Sequence, residues 1–230
     1  MSRHARTTVL DPLRGPVHAI QRFAQAWWHG RRLQPVQDNS GRVRPGDVLL
    51  FASLRNEATR IPFFLSYYRR LGVRHFFLVD NDSQDDFLDL VQGETDVSVW
   101  QTGDSYASAN FGMDWLNFLL RRYGSGHWCV TSDLDEFLVY PYCGVRSLAV
   151  LGEHLATEGR ASLCCLMLDM YSDRPIAQSH YHAGDDPFEI APFFDGSGYS
   201  QSTGLLGVTH TRGGVRRRVF VRDAPASAPA

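Results

Sequence analysis

DVLLFASLRNEATRIPFFLSYYRRLGVRHFFLVDNDSQDD, residues 47–86, is the stretch whose reading decides the fold. Asp47–Leu54 is a nearly continuous apolar run, the pattern of a strand buried on both faces. Arg55-Asn56-Glu57-Ala58 breaks it. Residues 59–71 then place Ile61, Phe64, Leu65, Tyr68 and Leu71 on one helical face, with Pro62 in the first turn and Gly72 as a C-terminal stop. His75–Asp80 is a second apolar strand, and it runs into Asn81–Asp86, a turn rich in helix-capping residues.

The alternation continues outward. Phe87–Val91 begins another helix and Val97–Trp100 is a short third strand. Residues 108–123 carry Phe111, Trp115, Phe118, Leu119 and Tyr123 at helical spacing, and His127–Ser132 is a fourth strand leading into Asp133-Leu134-Asp135-Glu136-Phe137. Strand and helix in turn call for an α/β fold: a Rossmann-like, mostly parallel sheet with helices on both faces and right-handed crossovers. In such sheets ligands bind beyond the carboxyl ends of the strands. Arg55-Asn56-Glu57 follows the first strand, Asp80-Asn81-Asp82 the second and Asp133–Glu136 the fourth, so topology alone sends all three polar clusters to one edge.

Around this core the chain is plainer. Its 230 residues suit one domain, and 43% hydrophobic with 21% charged residues is ordinary for a globular protein. A net charge of −2 gives no argument for nucleic acid as a partner. All 23 basic residues are arginine. The lack of lysine excludes a G-K-[ST] phosphate loop, a pyridoxal Schiff base and a lysine general base, so a bound phosphate falls to arginine, backbone N–H groups, a helix N-terminus or a metal. Cys129, Cys143, Cys164 and Cys165 form no C-x-x-C pair, and Cys164 and Cys165 sit in the apolar run Leu163–Leu168; buried, reduced thiols of a cytoplasmic protein are the expectation.

Residues 1–46 read as an N-terminal helical extension and linker, residues 47–222 as the main domain and residues 223–230 as a disordered tail. No segment reaches the roughly 20 apolar residues of a membrane span, and no secretory leader is evident. Residues 13–29 can form a short amphipathic helix. It has two readings, packing onto the domain or peripheral contact with a membrane surface, and the second makes the protein membrane-associated. Ala161–Met170 reads as a late strand, and residues 171–210 as a long functional loop region.

Asp133-x-Asp135 at a strand end puts two carboxylates on one side of an extended backbone. Such hard oxygen ligands suit Mn²⁺ or Mg²⁺, which bridges substrate phosphates and neutralises charge on a departing diphosphate. A capping cluster at a strand-to-loop turn is the competing reading.

L-R-N-E-A-x-R-I-P-x-F-L-x-Y-Y-R-x-L-G-V-x-H-F-F-L-V-D-N-D-S-x-D-D, followed by W-C-V-T-S-D-L-D-E-F-L, resembles family 2-type glycosyltransferases, in particular the bacterial subgroup with an R-N-E opening and a D-x-D-E-F motif. The resemblance covers residues 47–141, with a fainter echo in G-G-V-R-R-R-V-F at 213–220. It implies a GT-A fold and a sugar transfer from a nucleoside-diphosphate sugar to an acceptor hydroxyl on a glycan, a lipid-linked sugar or another molecule. Under it, Arg55, Asn56 and Glu57 lie against the nucleoside, Asp80, Asn81 and Asp82 form the acidic turn at base or ribose, and Asp133 and Asp135 hold metal and diphosphate. Members of the subgroup are longer, which raises a C-terminally truncated, catalytically impaired nucleotide-sugar-binding module as an alternative.

A sugar transferase of the inverting kind needs a carboxylate base for the acceptor. Asp169, after an apolar run, and Asp195, after Pro192-Phe193-Phe194, are preferred over Asp173, Asp185, Asp186 and Glu189. His210, close to Arg212 and Arg216–Arg218, is the further candidate for metal or diphosphate; His180-Tyr181-His182 has ligand-like spacing but no third partner. A metal-dependent nucleotidyltransferase is the remaining rival, and the sugar-activating kind would want a Gly-rich loop and a lysine where R-N-E-A stands.

Overall fold

The computed structural model describes residues 14–203 and 209–220. It divides into two units, 1–154 and 155–230. The first opens with helix α1 (Arg14–Gly30) and strand β1 (Gln34–Gln37), then runs β2 (Val48–Leu54), α2 (Ile61–Arg70), β3 (Val73–Asp80), α3 (Phe87–Val91), β4 (Val97–Gln101), α4 (Met113–Tyr123) and β5 (Cys129–Thr131), and passes out through α5 (Leu148–Thr157).

The five strands form one mixed sheet in the order β1-β4-β3-β2-β5. β2, β3, β4 and β5 are parallel, and β1 lies antiparallel on β4 at the edge. This is an α/β architecture of Rossmann-like order, as the alternation implied. β2 and β3 are buried along almost their whole length, which is why both read as unbroken apolar runs. Phe51 and Phe77 sit opposite one another in register and stack at 4.8 Å. Trp115, Leu116 and Leu119 of α4 close over them and over Leu49 and Val79. On the opposite face α2 packs through Phe64, whose ring lies 6.4 Å from Phe76. At about 25 cal/mol per Å² of apolar surface, burying each of these rings contributes a few kcal/mol.

Two local departures from the sequence reading have physical reasons. Gln34–Gln37, expected as linker, is a strand. Its short, polar sequence hides that Gln37 Nε2 donates to the carbonyls of Val91, Glu94 and Val97, while Asn39 Nδ2 donates to those of Glu94 and Val97. The helix expected over 108–123 starts only at Met113, because Asn110, Phe111 and Gly112 are all left-handed, with φ of 52°, 56° and 78°. Gly112 is required twice over: its φ favours glycine, and a Cβ there would meet Ser53 Oγ at 2.6 Å.

In the second unit, β6 (Met170–Tyr171) pairs antiparallel with β7 (Phe193–Phe194), and β8 (Ser200–Thr203) with β9 (Thr209–Arg212). Short helix α6 (Pro187–Ile190) is capped by Asp186, which accepts from the Phe188 N–H at 2.8 Å, and α7 (Gly214–Phe220) ends the described chain. The strand expected over Ala161–Met170 is not formed before Met170. Residues 161–168 are exposed, Cys164 and Cys165 among them, and no described strand takes up their backbone groups. The expectation of buried thiols therefore fails: all four cysteines are free, with Cys129 and Cys143 half-buried. The expected tail, 223–230, lies outside the described residues.

Candidate functional site

The strand order fixes where a ligand crevice belongs. The chain steps from β2 to β3 to β4 in one direction, then returns to add β5 on the other side of β2. This reversal is a topological switch point, the place where sheets of this kind bind their ligands. Arg55-Asn56-Glu57 stands after β2 and Asp133–Glu136 after β5. Phe51 pairs with Thr131, and two residues beyond them lie Ser53 and Asp133. The loop after β4 adjoins from the α4 side through Gly112, which is packed against Ser53 and Tyr106.

The β5 loop is held from beneath. Tyr68, fully buried on α2, shares a hydrogen bond with Ser132 Oγ (2.9 Å) and accepts from the Leu138 N–H (3.2 Å), and Ser132 Oγ donates to the Glu136 carbonyl (2.9 Å). Tyr67 donates to the Leu138 carbonyl at 3.0 Å, and burial pushes its own hydroxyl up to about 12. Phe137 lies among Phe63, Phe64 and Tyr67 at ring distances of 5.1–6.4 Å. The turn is thus clamped at both ends, and Leu134 is buried in it while Asp133 and Asp135 on either side stay exposed. β5 ends at Thr131, so the two carboxylates sit on a turn and not on the extended backbone that the spacing suggested.

Charge is crowded there. Packing around its carboxyl raises Asp133 above the ordinary carboxylate range, and Asp135 adds to the shift. Glu136 is raised chiefly by burial, with Asp133 and Asp135 contributing. Burial raises the Tyr106 hydroxyl too, and the charge of Asp133 raises it further, which places Tyr106 within reach of that carboxylate's field. Repulsion between neighbouring carboxylates is what a bound cation relieves. Among the described residues, no group of three or more His, Cys, Asp or Glu side chains is set to hold a metal ion. Two carboxylates still fit Mg²⁺ or Mn²⁺, which is commonly held by one or two of them, the remaining positions being filled by water and substrate phosphate.

The other acidic turn is built differently. Asp80 is fully buried at the end of β3; it accepts from the Ser83 N–H (2.9 Å) and from Gln101 Nε2 (3.0 Å). Asn81, also buried, donates to the carbonyls of Thr102 and Asp104. Both side chains shape the turn, and of the three residues expected at base or ribose only Asp82 is exposed, in a left-handed conformation with φ of 60°. The turn is also stitched to the β2 loop. The Asn56 N–H donates to Ser83 Oγ, Asn56 Oδ1 accepts from the Gln84 N–H, and Asp85 accepts from the Ala58 N–H. Arg55 and Asn56 are exposed, and Glu57 is tied to Arg60 by an ion pair.

Asp169, Asp195 and His210 belong to the second unit. Asp195 is held by Arg218 through two hydrogen bonds (3.1 and 3.2 Å) and accepts from Tyr171 (3.0 Å); the guanidinium and the phenol keep it below the ordinary carboxylate range, which makes it a weak proton acceptor. Asp169 is half-buried just before β6, and His210 is exposed on β9 opposite Ser202. His182 pairs with Asp185 at 3.2 Å, and His180 is exposed. Arg217 and Arg218 stand on helix α7.

Sequence reasoning missed Tyr68, Ser132, Tyr106 and Gly112. Tyr68 was read only as a core residue of a helical face, and nothing local in the sequence says that its hydroxyl meets a loop 64 residues on. Gly112 carried a signal, a glycine inside an otherwise helical pattern. Compared with protein-family models, with curated proteins and with solved structures, the chain matches none.

Proposed function

We propose that the protein is a metal-dependent glycosyltransferase of the GT-A, family 2-like kind, moving a sugar from a nucleoside-diphosphate sugar to an acceptor hydroxyl. One observation carries the reading: Asp133 and Asp135 are exposed neighbouring carboxylates after β5, next to the switch point of a mostly parallel sheet where Arg55-Asn56-Glu57 follows the adjacent strand β2. Carboxylates left crowded on a turn that is otherwise braced signal a missing counter-charge.

In this reading Asp133 and Asp135 hold Mn²⁺ or Mg²⁺, which supplies Lewis-acid stabilisation of the departing diphosphate. The chain's own residues do the rest. Arg55 and Asn56 flank the nucleotide, their loop fixed by its hydrogen bonds to Ser83 and Gln84. Asp80 and Asn81 act through the turn they shape, leaving Asp82 as the exposed member facing base or ribose. Tyr68 and Ser132 keep the metal-binding turn in one conformation, so that little reorganisation accompanies binding. Of the two carboxylates expected as acceptor base, Asp195 is weakened as a proton acceptor by Arg218 and Tyr171.

The test is a thermal-shift panel of UDP, GDP, dTDP and CDP, each with and without Mn²⁺. One nucleotide should raise Tm only with the metal, and Asp133→Ala or Asp135→Ala should abolish the rise. A panel in which no nucleotide acts, or in which the shift survives both substitutions, sinks the proposal.

A further inference from the structure

Helix α1 carries two stripes with opposite fates. Ala26 and Gly30 face α4 and are buried, and a Cβ on Gly30 would fall 2.0 Å from Phe118 Cγ, so small residues there let the two helices lie close together. The neighbouring stripe is Ile20, Phe23 and Trp27, one helical turn apart, with Trp28 further round. These side chains are 67%, 49%, 47% and 60% exposed. Packing on the domain thus accounts for one edge of the helix and leaves its most apolar face in water.

The surroundings of that face are cationic. The Arg31 guanidinium lies 4.4 Å over Trp27, and Arg121 of α4 lies 4.9 Å over Phe23. Phe23, Ala26, Trp27, Phe118, Arg121 and Arg122 line a shallow groove of about 320 Å³. Arg22 is exposed on the same helix, and from residue 20 to residue 32 the sequence contains no Asp or Glu. The other end of the arrangement is anchored, since Arg32 and His29 engage Asp104 at 3.0 and 3.6 Å.

Aromatic rings with arginines at their rim, and no acid among them, match one kind of surface. Trp and Phe settle at the boundary between headgroups and acyl chains, and arginine binds the phosphates beside them. A second copy of the chain fits poorly, because two-fold pairing through this face would set arginines against arginines. No described helix is long and apolar enough to cross a membrane, so contact would be in the plane of the surface. We propose that α1, together with Arg121 and Arg122, docks the protein on an anionic membrane, with Ile20, Phe23, Trp27 and Trp28 in the interfacial layer. Asp104 ties the docked helix to the loop after β4, so docking also sets how the domain faces the lipid. It needs no nucleotide, and its failure would leave the transferase reading standing.

The full chain should co-sediment with vesicles of equal parts phosphatidylglycerol and phosphatidylcholine, with a blue shift in tryptophan emission, and should bind pure phosphatidylcholine at least about ten-fold more weakly. Raising the salt concentration should weaken the anionic interaction. Trp27→Ser with Trp28→Ser should remove the blue shift and weaken binding about ten-fold or more, and Arg31→Gln with Arg121→Gln should weaken it about ten-fold, both with unchanged circular dichroism. A wild-type chain that stays in the supernatant with phosphatidylglycerol vesicles overturns the proposal. So does equal binding by the folded double variants, or a dimer that the tryptophan substitutions return to monomer.

Discussion

Two acidic turns stand at the same edge of the sheet, one after β3 and one after β5, and they do opposite things with the same side chain. Asp80 is buried and both its oxygens are engaged, by the Ser83 N–H and the Gln101 amide. Asp133 and Asp135 are exposed, and Asp133 and Glu136 are raised above the ordinary carboxylate range, chiefly by burial and further by their charged neighbours. A carboxylate whose hydrogen bonds are made inside the fold holds the fold together, while one that is positioned but uncompensated has bonding capacity left for a ligand. The difference lies in what surrounds each residue, since position in the strand-loop pattern is the same.

Substitutions in the two turns should therefore separate cleanly. Asp135→Ala is expected to reduce sugar transfer by between about 100- and 1000-fold, the range for losing a charge-stabilising group, with no fall in Tm. Comparable losses in both activity and Tm would erase the contrast. Asp80→Ala should instead cost about 2 kcal/mol of stability in a urea titration, because it removes a buried carboxylate and strands two part-buried donors. A variant as stable as the wild type would mean that the β3 turn does not depend on its carboxylate.

Acid should act on the β5 turn with a definite sign. Asp133 is raised, so its ionised form is a burden to the folded state at neutral pH, and that burden is relieved as pH falls through a window just above the ordinary carboxylate range. Asp133→Asn should then be more stable than wild type at neutral pH. Solvent around the exposed carboxylate limits the gap to about 1 °C in Tm. The gap should close on acidification, whereas metal-dependent nucleotide binding should weaken over the same window as protons compete for the site. A gap that widens toward acid would reverse the assignment. The smallest effect concerns backbone alone: Asp82→Gly, at φ of 60°, should stabilise by about 0.5 kcal/mol or less, as measured by the same titration.

Much of this contrast could not be read from the sequence, and the reason is geometric. The strands were legible because β2 and β3 are buried on both faces and write that environment as unbroken apolar runs. The placing of Arg55, Asp80 and Asp133 at one edge followed from parallel topology. Which of them is consumed internally depends on Gln101, 21 residues beyond Asp80, and on a turn that aims the Ser83 N–H back at it. The apolar run Leu163–Leu168 misled for the converse reason: composition says that a strand is possible, and only a partner strand makes it one. Tyr68 shows the same limit at the site itself, because its ring follows the helical pattern and its hydroxyl answers to Ser132 and Leu138.

β1 carries a practical consequence. It covers the outer side of β4, and Gln37 and Asn39 fasten it there. Cutting the chain at residue 47, where the apolar pattern invites a domain boundary, would strip that cover and leave a row of unpaired amides and carbonyls open to other molecules. Anyone seeking a smaller, better-behaved fragment by removing the first 46 residues should expect precipitation during purification.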